Sequence, residues 1–255
     1  MRTMPLLLCL ALFACGGEDD PMNAAPTGGG GGGGAGGGSV SDAMASNADA
    51  QGQSISGQLC LVEDLRRPKV CGTEGDLSGI SIEDLESGNE TVTDEDGKFE
   101  IAGTEKATTL RLKIGFDNAD FKDLIVPLPA NESAPKVPAM TEATWLEVRT
   151  NALFGEEPNG TASIAAYILD GASPAVGVGV ATQLTKTAPV YDGDSGPNDF
   201  QAGILTGTNG VALLFGMPTS SAEVSFSVSS GSELEEVNSV PVLDGALTFI
   251  GYRLQ

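Results

Sequence analysis

The clearest pattern along the chain is a strict alternation of apolar and polar residues in several short segments. Residues 110–116 and 224–228 alternate without interruption. A period of two predicts strands with one buried face. Glycine, proline, aspartate and asparagine separate these segments, and runs suited to amphipathic helices are missing. From about residue 54 onward the sequence therefore predicts an all-β protein, as a sandwich or a barrel.

The β region also repeats itself. Residues 93–101 match residues 206–214, and residues 79–82 match residues 177–180. The second copy has Gly207 where the first has Asp94, and Asn209 where the first has Asp96. The repeat predicts two tandem domains of the same fold. We place them at residues 53–140 and 141–255.

The residues of the first copy resemble a known family. Gly79-Ile80-Ser81-Ile82 is followed by Thr91-x-Thr93-Asp94-x-Asp96-Gly97-x-Phe99. This order is similar to that of carboxypeptidase regulatory-like, or prealbumin-like, β-sandwich domains. The resemblance implies two tandem Greek-key β-sandwiches, prealbumin- or Ig-like, with about seven strands each. It also implies an accessory, adhesive or substrate-positioning role, with no single activity. Transthyretin-like hydrolases and intradiol dioxygenases share that fold but depend on histidine, which this chain lacks.

The N-terminus carries a short apolar run that follows Arg2 and ends in Leu12-Phe13-Ala14-Cys15. Spanning a bilayer takes roughly twenty apolar residues, so this shorter run is typical of a signal peptide. Its end resembles the lipobox of bacterial lipoproteins, in which the cysteine is acylated. The resemblance implies a signal peptide at residues 1–14, lipid on Cys15 and an outer-membrane location, facing the periplasm or the outside. Plain secretion is the alternative.

Residues 15–52 form a glycine-rich segment with almost nothing to bury, including uninterrupted glycine at residues 28–34. Such a segment is expected to be disordered. A flexible tether of this length has a root-mean-square reach of roughly 30–35 Å. It would hold the β region away from a membrane.

Charge and composition exclude several function classes. The formal net charge is −22 and there is no histidine. Nucleic acid is not an expected partner, because binding phosphates requires clustered basic residues. Histidine-based catalysis and histidine metal sites are excluded. Only Cys60 and Cys71 remain after processing, and an oxidising compartment favours a disulfide between them. The alternative is a pair of free thiols, although redox pairs prefer a Cys-x-x-Cys spacing.

The second copy contains an insertion, residues 189–200, with three carboxylates and two aromatic rings. Long loops in compact domains are often functional. Asp192, Asp194 and Asp199 are candidate Ca²⁺ ligands, because Ca²⁺ prefers oxygen ligands. Tyr191, Asn198 and Phe200 are candidates for contact with a ligand. The alternative is a solvated, mobile loop. In the first copy, residues 94–97 indicate a tight hairpin rather than a metal site.

Trp145 is the only tryptophan. Residues 144–148 around it are predicted as a strand without counterpart in the first copy, and they could pair with residues 247–252. We expect Trp145 to pack in a core or between the two copies.

These features favour a non-catalytic, lipid-anchored envelope protein that binds an unidentified protein or polysaccharide. A Ca²⁺-dependent carbohydrate- or protein-binding module is the alternative, with Ca²⁺ as the only cofactor considered. A hydrolase with paired carboxylates is a third hypothesis.

Overall fold

The computed structural model describes residues 53–72, 75–104, 108–113, 120–128, 134–185 and 187–254. The signal peptide, Cys15 and the tether lie outside these residues. The described part is almost entirely β structure, with one helix. The first half carries strands β1 (Gln53–Leu61), β2 (Ser81–Asp84), β3 (Glu90–Val92), β4 (Lys98–Thr104), β5 (Thr108–Lys113), β6 (Leu124–Leu128) and β7 (Lys136–Ala139).

The second half begins with the helix α1 (Glu142–Asn151) and continues with strands. These are β8 (Thr161–Asp170), β9 (Ser173–Pro174), β10 (Gly179–Ala181), β11 (Val190–Asp192), β12 (Phe200–Ala202), β13 (Val211–Pro218), β14 (Glu223–Ser230), β15 (Glu233–Pro241) and β16 (Leu247–Arg253). The all-β prediction is confirmed.

The strands form one large sheet and two small ones. The large sheet runs β12-β11-β13-β8-β16-β6-β5-β2-β3, with β9 paired to β8. The first small sheet is β4-β1-β7, and the second is β10-β14-β15. The large sheet crosses from one half to the other at β16, which is parallel to both β6 and β8. Backbone hydrogen bonds therefore connect the two halves directly.

Each small sheet covers one face of the large sheet, which gives two cores. The first core joins β1, β4 and β7 to the first-half strands of the large sheet, and it extends below α1 onto the second half. The second core joins β10, β14 and β15 to the opposite face of β8, β11, β13 and β16. Each half is thus a β-sandwich, and the second-half strands of the large sheet are covered on both faces.

Strand β8 shows the consequence of this two-sided burial. Ile164, Ala166 and Ile168 face the second core, whereas Ala165 and Tyr167 face the first. A strand that is buried on both faces needs apolar residues at successive positions instead of alternating ones. The apolar sequence of β8 therefore encodes the layer that both cores share.

The two copies share one hydrogen-bonded corner. In the first copy, the Thr93 hydroxyl accepts from the Ile80 amide at 2.9 Å and donates to the Leu77 carbonyl at 2.5 Å. In the second, the Thr206 hydroxyl accepts from the Val178 amide at 3.0 Å and donates to the Ala175 carbonyl at 2.7 Å.

Two backbone hydrogen bonds of each threonine also match between the copies. The Thr93 carbonyl accepts from Gly79, and its amide donates to Ile80. The Thr206 carbonyl accepts from Gly177, and its amide donates to Val178. All four bonds recur at the aligned positions, so the predicted repeat is confirmed at this corner.

The predicted strand at residues 144–148 is wrong, because this segment belongs to α1. The Thr141 side chain accepts from the Thr144 amide and caps the helix, with Glu142 in the first turn and Arg149 in the last. Only Trp145 and Val148 of the helix are buried. Two buried positions are too few to show a helical period in the sequence.

The predicted partner of that segment pairs elsewhere. Residues 247–253 form β16, which pairs with β8 and β6 in the large sheet. Trp145 does lie where the halves meet, because it belongs to the first core, which both halves share, and the Lys122 ammonium of the first half lies 5.6 Å from its ring centroid. Within the second half it lies against Phe215, with ring centroids 5.8 Å apart.

Leu153 follows α1 in a left-handed conformation, with φ of 54°. Its amide donates to the Thr150 carbonyl, and the Phe154 amide donates to the Arg149 carbonyl. These two bonds form a Schellman motif, whose left-handed position is usually glycine. The Leu153 side chain is 93% exposed, so no packing compensates for its backbone conformation.

Candidate functional site

The insertion at residues 189–200 is folded into the second half. Its ends form β11 and β12, which extend the large sheet beyond β13. Tyr191, Asp192, Asn198 and Phe200 are all buried. The insertion therefore adds structure to the sheet, and most of its candidate ligand-binding side chains face the protein interior.

Asp192 organises the neighbouring turn. Its carboxylate accepts hydrogen bonds from the backbone amides of Gly207 at 2.9 Å, Asn209 at 2.7 Å and Val211 at 2.9 Å. The Asn209 side chain adds a fourth bond at 3.3 Å. The Val211 amide is buried and the amides of Gly207 and Asn209 are partly buried, and the one carboxylate of Asp192 accepts from all three.

This arrangement explains why the second copy departs from the motif of the first. In the first copy, Asp94 accepts from the amides of Asp96 at 2.9 Å and Lys98 at 2.8 Å. The aligned amides in the second copy belong to Asn209 and Val211. Asp192, from the insertion, thus replaces the carboxylate that Gly207 lacks.

Gly207 also has a steric reason to be glycine. A Cβ at this position would lie 2.3 Å from the Asp192 carbonyl oxygen, which is closer than real Cβ contacts. The second copy therefore differs from the first in two linked ways. It has no carboxylate at Gly207, and Asp192 of the insertion supplies one instead.

Asn198 connects the insertion to the first half. Its side-chain oxygen accepts from the Leu65 amide at 2.8 Å, and its side-chain nitrogen donates to the Glu63 carbonyl at 2.8 Å. Its own amide donates to Asp64 at 3.0 Å, and its carbonyl accepts from the Asn151 side chain at 2.9 Å. All four bonds run to residues distant in sequence.

Arg66 completes this junction. Its guanidinium binds both carboxylate oxygens of Asp64 at 3.0 Å and donates to the Gly193 carbonyl at 2.8 Å. We call Asp64, Arg66, Gly193 and Asn198 the polar clasp. Both sides of the clasp are loops. The bonds from Arg66 to Gly193 and from Asn198 to Asp64 join the loop of one half to the loop of the other.

The charges of the polar clasp reinforce one another. Burial raises the pKa of Asp64, but hydrogen bonds from Arg66 and Asn198 outweigh it and hold that pKa below its ordinary value. The hydrogen bond to Asp64 raises the pKa of Arg66, with smaller contributions from Asp199 and Asp192. The clasp therefore favours a charged aspartate and a charged arginine.

A disulfide closes the first-half loop that carries the polar clasp. Cys60 and Cys71 are bonded, with their Cα atoms 4.9 Å apart. The predicted disulfide is confirmed. It restrains the loop that presents Asp64, Leu65 and Arg66 to the insertion.

The Tyr191 hydroxyl forms hydrogen bonds with the backbone of β10, an end strand of the second small sheet. The hydroxyl accepts from the Val180 amide at 2.9 Å and donates to the Val180 carbonyl at 3.1 Å. Burial raises the pKa of Tyr191, although the bond to Val180 opposes the shift. The ring belongs to the second core, whereas Phe200 belongs to the first. Both aromatic residues of the insertion are thus core residues, and their role in ligand binding stays a prediction.

Asp194 and Asp199 have fewer partners than Asp192. Asp194 is exposed and accepts from the Thr208 hydroxyl at 3.2 Å, while Asp199 accepts from the Ser195 amide at 2.8 Å. Within the residues that the structure describes, no three or more His, Cys, Asp or Glu side chains are grouped so that they could hold a metal ion. The Ca²⁺ site at Asp192, Asp194 and Asp199 stays a prediction.

A second polar cluster, which the sequence did not indicate, lies at the start of the second half. The buried Lys122 ammonium binds Glu157 at 2.8 Å and the Gly245 carbonyl at 2.6 Å. Glu157 also accepts from the Ser163 hydroxyl at 2.7 Å and the Trp145 indole at 3.3 Å. Every member has a partner, so the cluster joins β8, α1 and the segment just before β6 rather than presenting a free reactive group.

Tyr167 is a buried phenol in the first core. Its ring stacks on Phe249 with centroids 6.0 Å apart, and its hydroxyl has no hydrogen-bond partner among the residues that the structure describes. Burial raises the pKa of Tyr167 well above its usual range, and the nearby Asp64 and Asp192 charges add to the shift. Tyr167 therefore remains a neutral phenol at physiological pH.

Comparison with known proteins finds weak structural matches and no sequence match. No protein-family model and no curated protein matches the chain. Among solved structures, the TIE protein of Bacillus anthracis is 12% identical with a TM-score of 0.22, and the match covers 79% of this chain but only 34% of that one.

Two further structures are of the shaft pilin SpaA from Lactobacillus rhamnosus GG. The D295N mutant is 7% identical with a TM-score of 0.24, and the E269A/D295N double mutant is 9% identical with a TM-score of 0.22. Each match covers 80% of this chain and 98% of the pilin. Likeness at these scores carries no argument about function. Among the described residues, no helix has the length and apolar character needed to cross a bilayer.

Proposed function

We propose that this chain is a non-catalytic, lipid-anchored protein of the bacterial cell envelope that presents two prealbumin-like β-sandwiches as one unit. The observation that carries the proposal is the junction between the halves. The large sheet and the polar clasp both cross it. A unit joined in this way suits a structural or adhesive role, in which a rigid body is held out from a surface.

The anchor in this proposal is lipid on Cys15. Its support is the short apolar run that ends in Leu12-Phe13-Ala14-Cys15. Several acyl chains, each contributing about 0.8 kcal/mol per buried methylene, would hold the protein stably in a membrane. The glycine-rich residues 16–52 would then separate the β region from the outer membrane. The partner, a protein or a polysaccharide, would meet the β region at the far end of this tether.

The polar groups of the described residues support a structural role over catalysis. The protein's own backbone amides or side chains form hydrogen bonds with the side chains of Asp192, Asn198 and Glu157. A catalytic carboxylate needs access to substrate, and a buried carboxylate with several internal donors does not have it.

The anchor is tested by metabolic labelling with radioactive palmitate, followed by detergent phase partition of the cells. The wild-type chain should incorporate label and enter the detergent phase. Cys15→Ser should lose the label and remain in the aqueous phase. Cys9→Ser is the matched control, because Cys9 lies in the same apolar run and should leave labelling intact. Label on the Cys15→Ser chain, or none on the wild type, would contradict the anchor.

A further inference from the structure

One corner of the second half exposes three large apolar side chains. Val176 is 64% exposed, Ile204 81% and Leu205 47%. The two segments that carry them are held together by the hydrogen bonds of Thr206 to Ala175, Gly177 and Val178. We call Val176, Ile204 and Leu205 the apolar corner. It is a fixed surface feature, because a buried threonine joins its two segments.

The first copy shows that the fold does not require apolar residues at this corner. The same four hydrogen bonds surround Thr93 in the first copy. Counting back from the two threonines, Ile204 corresponds to Thr91 and Leu205 to Val92. Counting from the matched glycines, Val176 corresponds to Ser78. Two of the three positions are therefore polar in one copy and apolar in the other, on the same backbone.

The apolar corner also lies in the part of the chain that has no charge. Residues 171–185 and 200–222 contain no Asp, Glu, Lys or Arg, although the chain has 35 acidic and 13 basic residues. A contact made through these segments brings few carboxylates together. Away from these segments, the net charge of −22 on each copy makes two copies repel each other.

An unprotected sheet edge adjoins the apolar corner. Among the described strands, β12 is the last of the large sheet, and its Gln201 and Ala202 are exposed. β3, at the other end of the large sheet, carries Glu90, and β15, at one end of the second small sheet, carries Glu233, Glu235 and Glu236. Charged residues discourage pairing between strand edges. β12 has no charged residue. Among these three ends, β12 is the one that a further strand could join without burying a carboxylate.

We propose that the apolar corner and the edge of β12 bind a second copy of this chain in a two-fold symmetric dimer. In such a contact the same surface meets itself, so apolar residues meet apolar residues. The two β12 strands would run antiparallel across the symmetry axis. None of the three apolar side chains and no residue of β12 carries a charge, so a second copy offers a matching uncharged surface.

The dimer is tested by sedimentation velocity on the full chain carrying Cys15→Ser, so that lipid cannot drive association. Concentrations from about 1 to about 500 µM cover the affinities expected of a small interface. The chain should pass from monomer to dimer within this range. Added salt should strengthen the dimer, because it screens the repulsion between two acidic copies. A dimer held together by ionic contacts would be weakened by added salt instead.

The double variant Val176→Ser with Ile204→Thr places the first copy's residues in the second. It should weaken the dimer by at least about tenfold, or about 1.4 kcal/mol. Ile204→Glu is a second test, because it sets like charges opposite each other at an exposed position. Val92→Ser is the control. Val92 is 62% exposed on β3, at the opposite end of the large sheet from β12, so the dimer should be unchanged.

Three results would overturn the proposal. One is a wild-type chain that stays monomeric at every concentration and salt level. Another is a folded double variant, with an unchanged melting temperature, that dimerises as the wild type does. The third is binding of some other molecule at the apolar corner while the chain itself remains monomeric.

Discussion

Asp192 is the residue on which the second copy most depends. It lies in an insertion that the first copy lacks, yet it satisfies the same turn amides that Asp94 satisfies there. A long-range contact has thus replaced a local one. The turn around Asn209 and Gly210 relies on the insertion to accept its amide hydrogens, whereas the turn of the first copy contains its own carboxylate.

Replacing Asp192 should destabilise the protein strongly. Asp192→Ala leaves the amides of Gly207, Asn209 and Val211 without their acceptor, and the Val211 amide is buried. We expect a loss of about 2–4 kcal/mol in the free energy of unfolding, measured by urea denaturation. Asp194→Ala is the control, since Asp194 is exposed, and should change stability by about 0.5 kcal/mol or less. Equal effects of the two variants would contradict the role of Asp192.

Leu153 makes the opposite prediction, because its backbone is in a conformation that leucine disfavours. The left-handed conformation costs a non-glycine residue roughly 1–2 kcal/mol, and glycine recovers part of this despite its larger entropy when unfolded. Leu153→Gly should therefore raise the free energy of unfolding by about 0.5–1 kcal/mol. Leu153→Ala removes the same exposed side chain but keeps the unfavourable conformation, so it should not stabilise. Stabilisation by alanine alone would show that the side chain, and not the backbone, is the cause.

At the scale of elements, the alternating pattern identified the strands with one solvent-facing side. Residues 224–228 lie in β14, where every second residue is buried. The helix α1 was missed because only Trp145 and Val148 face the core, which is too few buried positions to show a helical period, and both residue types are enriched in strands. The N-cap Thr141 and the basic Arg149 in the last turn were the available signal. The apolar run of β8 did not reveal that two cores share this strand.

The polar clasp could not be predicted from the sequence. Its partners, Asp64 and Arg66 on one side and Gly193 and Asn198 on the other, are far apart in the chain and carry no local motif. The role of Asp192 did leave a trace, because Gly207 lacks a carboxylate that the aligned position has. Such a gap beside an aspartate-rich insertion indicates that the insertion supplies the missing group.

The polar clasp should make stability depend on pH in a defined direction. The pKa of Asp64 is lower in the folded state than its ordinary value of 3.8. Its contribution is therefore present above about pH 4 and is lost as the pH falls through the folded-state pKa. Asp64→Asn should be less stable than the wild type by about 1.5–3 kcal/mol at pH 7. This difference should shrink below pH 4.

Urea denaturation at several pH values measures this difference. Glu63→Gln is the matched control, because Glu63 is the exposed neighbour of Asp64 and should behave as the wild type at every pH. A stability difference between wild type and Asp64→Asn that stays constant from pH 7 to pH 2.5 would exclude a contribution from the Asp64 charge.

At the scale of the whole molecule, the two copies are joined more closely than two sandwiches connected by a linker. β16 hydrogen-bonds to β6 of the first half and β8 of the second. The first core continues across the same boundary and contains Trp145. With the polar clasp, three separate features hold the halves together. Each sandwich therefore buries part of its core only in the presence of the other.

The central claim is that the two copies unfold as one cooperative unit, and calorimetry of the full chain carrying Cys15→Ser tests it most directly. Trp145 fluorescence and the far-ultraviolet circular dichroism signal should be followed on the same sample. We predict one transition, with equal calorimetric and van't Hoff enthalpies and coincident midpoints for both signals. Two resolved transitions, or loss of the Trp145 signal while the strand signal persists, would contradict the account.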